Sequence, residues 1–172
     1  MSAFQIARST PEDLDFVCWL FEQAIVYQRS KGYLSYKEVD RSSIKSDIAR
    51  GENFKVMAGN EIACTFSLTQ EDEFIWKDQP KRVAIYSHKA TVNPKYRGKR
   101  ILGTVIDFIK DHTRPLAIPL IRMDTWARSP SLIAYYESFG FKQRGHVQVS
   151  HEEHVPLNTR GNLVVLMELE IG

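Results

Sequence analysis

The chain has 172 residues, 43% of them hydrophobic, enough to bury a sizeable core in one domain (1–172) rather than two. Twenty-three basic residues against twenty-one acidic ones leave a formal charge of +2, which argues against nucleic-acid binding by bulk electrostatics and makes any basic site local. Cys18 and Cys64 have neither CxxC nor zinc-type spacing, so they read as buried thiols in a reducing compartment. Residues 1–6 lack the blocks of a signal peptide, and no segment nears the roughly 20 apolar residues that span a bilayer. The expectation is a soluble, cytoplasmic protein with no membrane partner.

Phe4 to Ser9 alternates apolar and polar residues and predicts a short opening strand. Ser9 or Thr10 then caps a helix with Pro11 at its first position and Glu12, Asp13 and Asp15 in its first turn, matching the unpartnered amides and the dipole there. Leu14, Val17, Cys18, Phe21, Ala24 and Ile25 form its apolar stripe, and Gly32 closes the region. A second helix is predicted from Ser42 to Arg50, with Ile44 and Ile48 inward and Gly51 as its stop. Gly59-Asn60 separates Phe54–Met57 from Ile62–Leu68 as the turn of a hairpin. A polar loop with Trp76 and Pro80 leads to a strand from Val83 to Val92.

The next stretch, Thr91-Val92-Asn93-Pro94-Lys95-Tyr96-Arg97-Gly98-Lys99-Arg100-Ile101-Leu102-Gly103, takes an apolar strand through a bend and a basic turn into a helix. The first amides of a helix have no acceptor inside it, so a turn that lets them converge makes a phosphate pocket, favoured further by the dipole. Lys95, Arg97, Lys99 and Arg100 surround that pocket with positive charge. Ile101, Leu102, Val105, Ile106 and Ile109 keep helical spacing until Arg114-Pro115 stops the helix. Pro119 to Trp126 reads as a strand, Pro130 to Phe139 as a helix, and Phe141 to Val149 and Leu163 to Ile171 as closing strands. The layout is α/β or α+β around a central mixed sheet.

Two separated motifs carry a family resemblance. Val92-Asn93-Pro94-Lys95-Tyr96-Arg97-Gly98-Lys99 resembles the V-x-P-x-(Y/F)-R-G-x-G-x-G/A cofactor motif of the GNAT superfamily of acyl-CoA-dependent N-acyltransferases. Ser129 to Phe141, with Tyr135-Tyr136 before Glu137-Ser138-Phe139-Gly140-Phe141, resembles the superfamily's later N-x-x-(A/L)-x-x-(L/Y)-Y-x-x-x-G-F segment. Arg100 and Leu102 stand where the superfamily has glycine and glycine or alanine, and Ser129 where it has asparagine. The resemblance implies a single-domain α/β (α+β) fold, with a mostly antiparallel mixed sheet of about seven strands flanked by about four helices.

It also implies acetyl-CoA (coenzyme A) as co-substrate, gripped by Arg97, Gly98, Lys99, Arg100, Ile101, Leu102, Gly103 and Thr104, with Ser129 and Tyr136 contributing. The pantetheine arm would pair with main chain at Ala90, Thr91 and Val92, whose amides can polarise the thioester. Tyr136 would protonate the leaving thiolate, since a phenol near pKa 10 and a thiol near 8.5 are close enough for transfer. His88 precedes Ala90 and Val92 by two and four residues, so alternation puts the three on one face, where an imidazole can take the amine's proton; Glu71 and Glu73 are rivals. His151-Glu152-Glu153-His154 is not HExxH and implies no metal. Tyr27, Tyr33, Tyr36, Glu38 and Asp40 would border the acceptor pocket. The expected partner is a small-molecule or peptide amine, the expected state monomer or homodimer. The activity implied is acetyl transfer by direct attack in a ternary complex; the alternative is a non-catalytic acyl-CoA-binding sensor or interaction module.

Overall fold

The computed structural model describes residues 4–153 and 155–171. Among the described residues, seven strands and four α-helices follow in chain order: β1 Gln5–Arg8, α1 Leu14–Ser30, α2 Arg41–Ala49, β2 Asn53–Ala58, β3 Glu61–Thr69, β4 Ile85–Val92, α3 Ile101–Thr113, β5 Leu120–Trp126, α4 Pro130–Glu137, β6 Lys142–Gln148 and β7 Leu163–Glu170. Their hydrogen-bonding order is β1-β2-β3-β4-β5-β7-β6. Pairs β1·β2, β2·β3, β5·β7 and β6·β7 are antiparallel and β4·β5 is parallel, the mixed, mostly antiparallel sheet expected. No helix among the described residues is long and apolar enough to cross a membrane.

The chain forms two compact units, one running to Leu68 and including His88–Phe108, the other comprising Thr69–Ser87 and the chain from Ile109 on. In the first unit, Val17, Cys18 and Phe21 of α1 pack on Ile44 and Ile48 of α2, as the spacing predicts. Leu20, absent from the expected stripe, is fully buried as well. The entry to α1 is tighter than predicted. Pro11–Asp13 form a 3-10 turn, and the Thr10 N–H donates to Asp13 Oδ2 at 2.7 Å. Phe54 and Phe66, on neighbouring strands, stack at 5.5 Å between ring centres, with Phe108 tilted at 5.3 Å from Phe54.

In the second unit the segment between β3 and β4, read from sequence as a polar loop, puts Ile75 and Trp76 into a core with Tyr86, Leu120, Val149, Val164 and Leu166. Ala84 joins that core while Val83 is exposed, so β4 starts two residues later than expected. An ion pair is buried with it. Arg122 donates to Glu168 at 2.9 Å, both side chains being almost fully buried, and its guanidinium lies 4.5 Å from the centre of the Trp76 ring. Glu168 also accepts from Arg144 at 2.9 Å and from Arg82 at 3.3 Å, so a charge that would be costly alone is compensated by three guanidinium groups.

Candidate functional site

In the first unit, β4 leads into the turn before α3 through Asn93. Its main-chain N–H donates to Ala63 O at 2.9 Å and its side-chain NH₂ to Ile62 O at 2.9 Å, tying the end of β4 to β3. The same side chain accepts from Lys95 N–H at 3.1 Å, shaping the 3-10 turn Pro94–Tyr96. Lys95 is then committed to Glu61 at 2.6 Å, and the Tyr96 hydroxyl donates to Glu61 at 2.6 Å as well. These bonds, led by that from Lys95, hold the Glu61 carboxyl below its ordinary value. Of the basic cluster, Lys95 therefore anchors the turn to β3.

Gly98 has φ +77° and Arg100 φ +52°. A Cβ built on Gly98 would meet nothing within 4 Å, so the glycine serves backbone conformation and an open surface rather than close packing of protein. Arg100 takes the left-handed region without that freedom, at a cost of roughly 1 kcal/mol. That is the physical reason a glycine suits this place. Its side chain is exposed, as is that of Lys99, while Ile101, only 2% exposed, seats the first turn of α3. Leu102, Gly103 and Thr104 are half-buried, and the Gly103 N–H donates to Arg100 O at 3.1 Å, so the first turn of α3 closes onto Arg100 beside an exposed basic rim. The Arg97 guanidinium lies 3.9 Å from the centre of the Tyr27 ring.

Other residues expected around an acceptor have structural duties. Asp40 caps α2, accepting from Ser43 N–H at 2.9 Å, and Tyr36 stacks on Phe21. Tyr33 is exposed.

One expectation for β4 is corrected. Lys89 has φ +53°, a break in the pleat between His88 and Ala90, so two-residue spacing does not put His88, Ala90 and Val92 on one face. His88 and Val92 are partly buried, Ala90 is exposed and Thr91 is buried. The register of β4 with β5 covers only Ile85 with Ile121 and Tyr86 with Arg122.

In the second unit, Ser129 precedes α4 and its carbonyl accepts from Leu132 and Ile133 at 3.0 Å, but its hydroxyl does not cap the helix. Tyr135 and Tyr136 are both half-buried; Tyr136 packs edge-on against Phe141 at 6.1 Å and Tyr135 against Phe139 at 5.2 Å. The segment after β6 holds His151, whose imidazole lies over the backbone of Gly161; His154 is outside the described residues. Glu71 and Glu73 are exposed.

Asp124 on β5 was not anticipated. Burial pushes its carboxyl up to about 7, with the charge of Asp72 adding to the effect. Asp72 itself caps its loop, accepting from Ile75 N–H at 2.8 Å. Because the folded chain keeps a proton that the unfolded chain releases near pH 3.8, stability should fall as pH rises from about 4 to about 7. Asp124→Asn has no such titration. The stability of wild type minus variant, from urea unfolding at several pH values, should therefore decline across that window, and a flat difference would show an ordinary carboxylate.

A solved acetyltransferase of the GNAT family from Listeria monocytogenes superposes on the chain with a TM-score of 0.75 at 19% identity, covering 97% of this chain and 94% of that one. The chain has the GNAT fold. The ribosomal-protein-S18-alanine N-acetyltransferase of Escherichia coli matches with a TM-score of 0.66 at 14% identity, covering 99% of this chain and 95% of that one. The protein yncA of Salmonella typhimurium, solved with its cofactor acetyl-CoA, matches at 0.67 and 13% identity over 99% and 95%. No protein-family model and no curated protein matches the sequence. In this GNAT fold the residues that sequence reading passed over had faint signals. Arg122 and Asp124 were charges inside an apolar strand, and Asn93 stood before a proline, where an Asx side chain often shapes a turn.

Proposed function

We propose that the chain is an N-acetyltransferase, a single domain that moves an acetyl group from acetyl-CoA to a primary amine of a small molecule or peptide. The observation that carries this reading is the turn at 97–104, where positive-φ backbone at Gly98 and Arg100 opens the start of α3 to solvent beside basic side chains. A diphosphate suits such a place: a helix N-terminus and basic side chains favour an anion there, and a Cβ at Gly98 would meet no atom within 4 Å. The shared fold with yncA, which was solved with acetyl-CoA, supports the same cofactor.

On this reading Arg97, Gly98, Lys99, Arg100, Ile101, Leu102, Gly103 and Thr104 hold the phosphates. Main chain at Ala90, Thr91 and Val92 takes the pantetheine arm and polarises the thioester carbonyl. Ser129 and Tyr136 also contact the cofactor, with Tyr136 donating the proton to the thiolate. His88 and Asp124 are the candidate acceptors of the amine's proton; an acid held near 7 suits that task. Direct attack in a ternary complex agrees with the cysteines. Burial pushes the Cys64 thiol up to about 12 and raises that of Cys18, so neither offers the thiolate a covalent acyl-enzyme needs. Two of the similar structures are named as ribosomal-protein alanine N-acetyltransferases, one of them for S18, and this favours including peptide α-amines among the acceptors.

The deciding experiment incubates the protein with acetyl-CoA and a panel of amines and peptides while free thiol is monitored. Thiol release that requires an amine is the expected result. Saturable CoA binding without turnover on any acceptor would favour the acyl-CoA-binding sensor, a reading that Arg100 in a glycine's place supports.

A further inference from the structure

Lys89 is the residue at which β4 departs from a regular strand, and a non-glycine backbone at φ +53° inside a strand carries strain of about 1 kcal/mol that its contacts can offset. The surroundings here are specific. Lys89 Nζ donates to Asp47 Oδ2 at 2.7 Å and to Ser43 Oγ at 2.6 Å, both on α2. Asp47 is 4% exposed. Its Oδ2 also accepts from the Ser67 hydroxyl on β3 at 2.8 Å, and its Oδ1 from Arg50 at 3.0 Å. The Asn53 side-chain amide on β2 donates to Ser67 Oγ at 3.1 Å. A buried carboxylate thus gathers bonds from β3, from the end of α2 and, through Ser67, from β2, and offers its remaining capacity to the ammonium at the bend of β4.

We infer that Asp47 and Lys89 are a positioning pair, which fixes the bend in β4 and thereby the direction in which the main chain of Ala90, Thr91 and Val92 presents itself to an acyl thioester. This rests on the acetyl-transfer reading of the chain. Neither residue touches the reacting atoms in this account; they act through the strand. Such a role is distinct from gripping the phosphates, which belongs to the turn beyond Asn93. Loss of the pair should therefore injure the chemical step more than cofactor affinity.

The test uses the full chain with Lys89→Gly, Asp47→Asn and their combination. Glycine adopts the positive φ without cost, so Lys89→Gly removes the tether while relieving the strain, and the variant should stay folded. At saturating acetyl-CoA its kcat should fall at least about tenfold, while KM for acetyl-CoA changes by less than about threefold. The double variant should be no worse than the more impaired single one, because the two residues act as a unit. Hydrogen exchange at the amides of residues 90–92 should quicken in Lys89→Gly. Overturning results are a kcat within about twofold of wild type, or single effects that multiply in the double variant. If wild type transfers acetyl to no acceptor, the acetyl-transfer reading is what fails. The tether is then judged by exchange alone: faster exchange at 90–92 upholds it, and unchanged exchange rejects it.

Discussion

Tyr136→Phe should lower kcat by about 10²–10⁴-fold, the range that general acid catalysis usually supplies, with CoA affinity little changed. Its ring meets Phe141 edge-on at 6.1 Å and Tyr135 at 5.8 Å, contacts that a phenylalanine keeps, so only the hydroxyl is lost. Tyr135→Phe serves as the control and should be mild. Thiol release by both variants under saturating acetyl-CoA gives the comparison. Nearly full kcat in Tyr136→Phe, with chemistry shown to limit the rate, would hand the proton to water and remove the tyrosine from the mechanism.

Gly98→Asp should weaken CoA binding well beyond about tenfold, since it sets a carboxylate beside the diphosphate and in the field of a helix N-terminus. Gly98→Ala separates the causes. At φ +77° with open space around the new Cβ, alanine meets no clash and pays only backbone strain of about 1 kcal/mol, most of it visible as lost thermal stability. The ratio of the two affinities, measured by calorimetry, then reports charge. Unchanged affinity in a folded Gly98→Asp protein would move the phosphates elsewhere.

Strong periodicity made most of the fold legible. The stripe of α1, the Gly59-Asn60 hairpin and the apolar repeat of α3 each announced their elements, and the order of strands and helices followed. Boundaries drifted where a local bond decides them, as at Thr10 and Asp13, where a 3-10 turn precedes the helix. The segment carrying Ile75 and Trp76 is the loop its polar residues predict, but those residues hid two side chains that belong to a core. The turn at 97–104 was legible because glycine, proline and clustered charge are local signals. The bend at Lys89 was not: nothing about a lysine in a strand foretells positive φ, and what holds it there comes from Ser43 and Asp47, more than forty residues upstream. Asp124 eluded the reading for the same reason, since a raised pKa depends on what surrounds a carboxylate.

Cys18 and Cys64, at 5% and 3% exposure, make the folded protein silent toward thiol-modifying reagents. Any thiol that appears in the acetyl-transfer assay is then expected to come from acetyl-CoA rather than from the protein. The silence ends when the chain opens. One cysteine belongs to α1 and the other to β3, so alkylation timed during unfolding and resolved by mass would record separately when a helix lets go and when a strand does.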